Sequence, residues 1–376
     1  MLPARTGDRI SLADVLESCL ASLTADENRL DLPPAHRVVL VLVDGLGAAA
    51  LKARAGHART LNSASGHAIE TVFPTTTASA LASLATGDLP GQHGLVGYSV
   101  LDSANDRVVN ELSGWDDRLD PATWQRKPTL FEGAVAEGLS AVVVGPARYA
   151  DSGFTRAVLR GAEYRSAASV SDRFAAASAW LREPGPAGVL YLYVPELDAV
   201  AHASGWESPE WTEKLELVDS EVRLLVGGLR PTDAVVVTAD HGILDVPLRA
   251  HLLIDSAPAL LAGIRHVAGE PRCLQLHFEP TLSEARRDAL VERWRDAESD
   301  RAWVATRAEA IAANWFGAVD AVVEPRIGDL LVAARRNVAY YDGRTASDSS
   351  LAMIGQHGSF SPAELQIPLA RFGAYA

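Results

Sequence analysis

Four short runs of the chain are apolar without alternation, and several stop just before residues capable of chemistry. Arg37–Val43 reads Arg-Val-Val-Leu-Val-Leu-Val and runs into Asp44-Gly45. Asp233–Thr238 runs into Ala239-Asp240-His241-Gly242, and Ser140–Gly145 and Gly188–Val194 share the same character. β-branched runs of this length predict strands buried on both faces. Between them the pattern is helical over 129–138, which Gly138 closes, over 169–182, and over 208–228, where Pro209 suits a first turn. Strand and helix alternate. That predicts an α/β fold with a mostly parallel central sheet covered by helices on both faces. Ligands of such sheets bind beyond the carboxyl ends of the strands, and Asp44, Asp198 and Asp240 all fall at or shortly after those ends.

The pattern changes between residues 251 and 326. The stretch 272–278 alternates like a half-exposed strand, 283–296 is a charge-rich amphipathic helix, and 302–306 reads as another strand. The expected organisation is an outer helical segment at 1–36 packed on the core (its helix at 11–23), an α/β core at 37–250 and 327–376, and a small inserted α+β subdomain at 251–326. Strand-like sequence resumes at 328–340, and there is no internal repeat or low-complexity tract.

Composition narrows the function. The chain is 48% hydrophobic and 22% charged, enough for a large core without covalent staples. Its two cysteines, Cys19 and Cys273, match no disulfide framework or zinc knuckle and read as thiols in a reducing compartment. A net charge of -14 argues against duplex nucleic acid as a partner. It does not exclude an anionic substrate, since a bound metal reverses the field locally. Residues 1–14 carry Arg5, Asp8, Arg9 and Asp14 and no apolar leader core, and no uncharged run is long enough to span a bilayer. The expectation is a cytoplasmic protein with no membrane partner.

The candidate chemistry lies in aspartates and histidines. Asp198 and His202 are four apart, which puts them on one face of a helix. Asp240 and His241 are adjacent, Asp44 follows the first strand, and His357 sits between glycines in Gly355-Gln-His-Gly358. Carboxylate and imidazole together suit zinc or another first-row divalent ion. Each residue alone has an ordinary explanation, a turn-forming aspartate or a hydrogen-bonded histidine. The ordered set points to metal. A further candidate lies in Thr71-Val-Phe-Pro-Thr-Thr-Thr77, where a short strand is expected to end near Phe73, Pro74 breaks it, and an alanine-rich helix begins around Thr77. A hydroxyl there points out of the helix start, beside free N–H groups suited to phosphate. Helix capping explains Thr75, Thr76 and Thr77 as well, and on the residues alone it is the commoner reason.

These residues resemble the type I phosphodiesterase / nucleotide pyrophosphatase branch of the alkaline phosphatase superfamily. Val43-Asp44-Gly45 matches its first strand and Asp-Gly. Pro74-Thr75-Thr76-Thr77, Thr86-Gly87 and Pro90-Gly-Gln-His-Gly94-Leu-Val-Gly97 match the segments that follow. Asp198, His202 and Gly205, then Asp240-His241-Gly242, then His357, complete the series over nearly the whole chain outside the first 36 residues and the insertion. The resemblance implies an alkaline phosphatase-like fold, two divalent metal ions, most simply zinc, and Thr77 as a nucleophile that also touches metal. Thr75 and Thr76 are the alternatives. It implies one metal on Asp44, Asp240 and His241 and the other on Asp198, His202 and His357, while His93 is structural. The implied substrate is a small phosphate ester, a phosphodiester or nucleotide pyrophosphate, with phosphonate or monoester hydrolysis as the alternative. A metal-binding protein that kept the fold is the non-enzymatic reading. A sulfatase is disfavoured, because neither cysteine sits in Cys-x-Pro-x-Arg. The sequence departs from the family pattern at Ala78-Ser-Ala-Leu-Ala82, where an aromatic segment is usual, at Ala201, where glycine is usual, and at Tyr98. Tyr98 stands where relatives carry an asparagine that holds a phosphoryl oxygen, so its hydroxyl becomes a candidate catalytic donor.

Overall fold

The computed structural model describes residues 2–4, 9–64 and 66–376. Arg5 and Asp8, which weighed against a leader, lie outside them. The central sheet has six strands: β1 (Arg37–Val43), β2 (Ser140–Gly145), β3 (Glu163–Ser166), β4 (Gly188–Val194), β5 (Asp233–Thr238) and β10 (Ala370–Gly373). They run in the order β10-β5-β1-β4-β2-β3, all parallel except β10 against β5. β1 lies at the centre with all seven residues buried, as its unbroken apolar sequence requires. The helices 129–138, 169–182 and 208–228 form as Leu130–Ala136, Val170–Arg182 and Pro209–Gly227. Each is opened by a side-chain cap, from Thr129, Ser169 and Ser208 respectively. The outer helix Ala13–Leu23 buries one face against β1, β4 and the helix Thr77–Thr86. Among the described residues no helix is long and apolar enough to cross a membrane.

A second, antiparallel sheet joins β6 (Ile264–Glu270), β7 (Cys273–Phe278), β8 (Ala302–Thr306) and β9 (Leu330–Ala334) in the order β6-β7-β9-β8. The helix Glu284–Glu298 packs on it through Leu290, Val291 and Trp294. Here the sequence expectation needs correcting. The alternation in β7 suggested one wet face, yet all six residues are buried. Its apolar set, Leu274, Leu276 and Phe278, meets the helix. The opposite set turns away from that helix into the protein, where Gln275 donates to the Val96 carbonyl (2.7 Å) and accepts from Gly328 N–H (2.9 Å). Polar side chains satisfied inside the protein carry the same alternation as side chains facing water. The last strand of this sheet, β9, falls beyond residue 326. A buried bidentate pair, Arg272 to Glu364 (2.8 and 3.1 Å), ties the sheet to the core.

Candidate metal centre

The strand near Phe73 is shorter than expected. It covers only Ile69–Glu70, and the chain then runs irregularly to Thr76. Phe73 is held instead by an aromatic cluster: it stacks on Phe360 (3.9 Å) and meets Trp315 and Phe316 edge-on. The three threonines then part company. Thr75 accepts from Gly358 N–H and donates to the Ser359 carbonyl, both at 2.9 Å. Thr76 occupies the cap position in extended backbone but makes no side-chain cap bond, and its hydroxyl faces Glu270. Thr77 is the first helical residue, and its Oγ1 lies 3.2 Å from His241 Nε2.

His241 Nε2 is the meeting point of one group. Asp240 Oδ2 is 3.3 Å away and Asp44 Oδ1 3.5 Å away. Both aspartates leave strand ends, β1 and β5, that are neighbours in the sheet. A second group forms around Asp198 on the helix Glu196–Ser204, with His202 Nε2 at 3.2 Å and His357 Nε2 at 3.9 Å. Donor atoms of Asp44, Asp198 and His241, and of Asp198, His202 and His357, lie within 4.8 Å of one another, so Asp198 belongs to both sets. The imidazoles of His241 and His357 stack at 3.7 Å and close the gap between them. Gly45 permits this approach. Its φ is +72°, and a Cβ there would lie 3.0 Å from Asp198 Cβ.

The donor set fits divalent cations. His202, His241 and His357 each donate from Nδ1 to a backbone carbonyl, those of Gly355 (2.7 Å), Gly242 (3.2 Å) and Thr75 (2.7 Å). Every Nε2 lone pair therefore points into the cluster. Asp44 Oδ1, Asp198 Oδ1 and Asp240 Oδ2 are buried without a hydrogen-bond partner among the described residues, a costly state unless a cation is bound. Burial, then the neighbouring Asp240 and Asp198, push the Asp44 carboxyl well above its usual range, although Tyr193 donates to it. Burial opposes ionisation of Asp198 too, but His202 and then His357 hold it below the usual range. In return Asp198 outweighs burial at His202 and holds that imidazole up to about 9. His357 is driven well below its usual value by burial and then by His241. The cluster is short of positive charge.

Tyr98 is the exception among the expected site residues. Its ring is 42% exposed and does not line the cavity at Thr77. The backbone turns it outward where the strand Ser99–Asp102 begins, with Tyr98 N–H donating to Glu270 Oε2 (2.8 Å) and its carbonyl accepting from Glu111 N–H (2.8 Å). Three features escaped the sequence reading. Glu270, at the end of β6, is buried against Thr76 and Gly358, and burial pushes its carboxyl up to about 8. Tyr193 orients Asp44; its place one residue from the end of β4 was the available signal. A cavity of about 210 Å³ opens beside Asp44, Thr77 and Asp198, walled by Leu81, Val143, Phe154 and Tyr191 among others.

A family model described as type I phosphodiesterase / nucleotide pyrophosphatase matches residues 38–360. Among solved structures the chain is similar to human ectonucleotide pyrophosphatase / phosphodiesterase 5, at 17% identity and a TM-score of 0.68, over 89% of this chain and 87% of that one. It is similar to an inactive murine form of that protein in complex with AMP, at 16% identity and a TM-score of 0.68, over 90% and 88% of the two chains. It is also similar to phosphonoacetate hydrolase from Sinorhizobium meliloti in complex with phosphonoformate, at 21% identity and a TM-score of 0.68, over 90% and 91%. A comparison with curated protein sequences finds no match. At these identities the structural likeness carries the fold, and the family model carries the kinship.

Proposed function

Because the chain belongs to the type I phosphodiesterase / nucleotide pyrophosphatase family of hydrolases, we propose that it hydrolyses a phosphodiester or nucleotide pyrophosphate through a covalent phosphothreonine on Thr77. The observation that carries this reading is the Thr77 hydroxyl at a helix start, 3.2 Å from His241 Nε2 and beside Asp44. Two divalent ions, zinc by the donor set, would when bound lower the hydroxyl pKa of Thr77 and offset charge on the phosphoryl oxygens. Asp44, Asp240 and His241 would hold one and Asp198, His202 and His357 the other, with Asp198 within reach of both.

The chain's own groups do the rest. Thr77 Oγ1 attacks phosphorus, and the bond to the leaving alcohol or phosphate breaks in line. The N–H groups of the first turn, which the helix leaves without internal acceptors, receive the phosphoryl oxygens. Water then attacks the phosphothreonine, phosphate or its monoester departs, and the Thr77 hydroxyl is regenerated. The similarity to a phosphonoacetate hydrolase favours a second reading, a phosphonate or simple monoester as substrate. A non-catalytic metal protein has no use for a buried threonine hydroxyl aimed at the ligand cluster. The proposed location is the cytoplasm, for which the two free, buried thiols are congenial, and duplex nucleic acid is not a proposed partner.

Thr77→Ala tests the reading. It should abolish turnover of an activated aryl phosphodiester while the fold and at least the metal on Asp198, His202 and His357 stay. Acid-quenched wild type should carry phosphate on the peptide containing Thr77. Phosphate trapped on Thr75 or Thr76, or activity surviving in Thr77→Ala, would refute the assignment.

A further inference from the structure

The cavity beside Thr77 has an uneven distribution of charge. Its carboxylates, Asp44 and Asp198, belong to the metal cluster, and Arg148 is its one cation among the described lining residues. Arg148 lies on the short turn Ala147–Tyr149 that follows β2, is exposed at the rim, and places its guanidinium 4.7 Å from the centroid of the Tyr149 ring. Some surface arginines are committed to carboxylates, as Arg107 is to Asp102 and Asp116 and Arg165 to Glu163 and Glu183. Arg148 has no carboxylate within ion-pair distance among the described residues. Its own neighbour Glu196 is turned to Arg173. Deeper in the same cavity Tyr191 is only 2% exposed, and its hydroxyl finds no partner among the described residues. A buried donor without an acceptor costs stability that a ligand oxygen would recover. The walls between are aromatic and aliphatic. The cavity is thus prepared for a compact, largely apolar substituent that ends in negatively charged oxygens.

We propose that the organic group attached to the transferred phosphoryl centre carries a second anionic group, and that Arg148 is the residue that selects it. This rests on the phosphoryl-hydrolase reading and adds a specificity to it. The shared chemistry is an oxyanion at the far end of a short apolar body, which a carboxylate or a second phosphoryl group supplies equally. Arg148 suits either, because a guanidinium presents paired donors to both. Its stacking on Tyr149 holds the fork at the rim before the substrate arrives.

Three phosphonates separate the possibilities: phenylphosphonate, 4-carboxyphenylphosphonate and 1,4-phenylenediphosphonate, titrated calorimetrically into the zinc-loaded protein. In the wild type at least one of the two anionic-tailed compounds should bind about tenfold or more tightly than phenylphosphonate, and the one with the larger margin identifies the source. Arg148→Ala should erase that margin, and Arg148→Lys should keep part of it. Equal affinities for all three compounds in the wild type, or the same margin in Arg148→Ala, would overturn the assignment. Zinc-independent binding, or none of the three binding at all, would instead overturn the phosphoryl reading on which it rests.

Discussion

The hydroxyl of Tyr193 donates to Oδ2 of Asp44 and leaves Oδ1 facing His241 Nε2 at 3.5 Å. The phenol fixes which carboxylate oxygen is free to bind metal. Outer partners of this kind govern affinity by roughly 10–100-fold. Tyr193→Phe should therefore weaken zinc by about tenfold or more in competition with a chromogenic chelator, and saturating zinc should restore most of the turnover. Equal zinc affinity in variant and wild type would remove Tyr193 from the metal site.

Charge shortage in the cluster sets a second expectation. Active protein should contain about two metal ions per chain. A chelator should abolish turnover and lower the melting temperature, because ions that bind only the folded state stabilise it. Zinc should reverse both. Full activity in protein shown by elemental analysis to lack transition metal would end the two-metal reading.

Tyr98→Phe isolates the one candidate donor that the fold turns away. A lost phosphoryl donor costs about 10²–10³ in rate, whereas a ring outside the cavity predicts a change of about twofold or less. Steady-state kcat/KM on the best phosphodiester decides, and a hundredfold loss would return Tyr98 to the mechanism.

Glu111 supplies a pH dependence independent of metal. Burial pushes its carboxyl up to about 8, although Trp124 Nε1 donates to it at 2.8 Å and Arg326 pulls the other way. From the ordinary glutamate range to about 8 the folded protein keeps a proton that the unfolded chain releases. Stability from this group is complete below that range and declines as pH rises through it. Glu111→Gln should therefore gain on the wild type between pH ~5 and ~8 in urea melts. Parallel pH profiles for the two proteins would count against it.

The central sheet and the grouping of aspartates and histidines were legible because they rest on local signals. Strands buried on both faces must be continuously apolar, and carboxylates and imidazoles that follow strand ends are brought together by the order of those strands in the sheet. The α+β region was harder to read. β7 alternates because its polar face meets protein groups such as Val96 and Gly328, which no local pattern reveals. Only the register of the family motif set Thr77 apart from Thr75 and Thr76 in the sequence, since what distinguishes them physically is contact with His241, Ser359 and Glu270 respectively. Arg148 was passed over for the same reason: an arginine after a strand is ordinary until its neighbours are known to offer no carboxylate.

The bonds between Thr75 and residues 357–359 span more than 280 positions of sequence: His357 and Gly358 donate to Thr75, and Thr75 donates to Ser359. Amino-terminal segments emerge from the ribosome first, so the threonine loop is synthesised long before the histidine that completes the group around Asp198. A growing chain contains Thr77 early, but it lacks His357 until almost its whole length has been made. Biosynthesis thus acts as a timer on this centre, and prematurely terminated chains should be inert toward any phosphodiester that the finished protein is found to cleave.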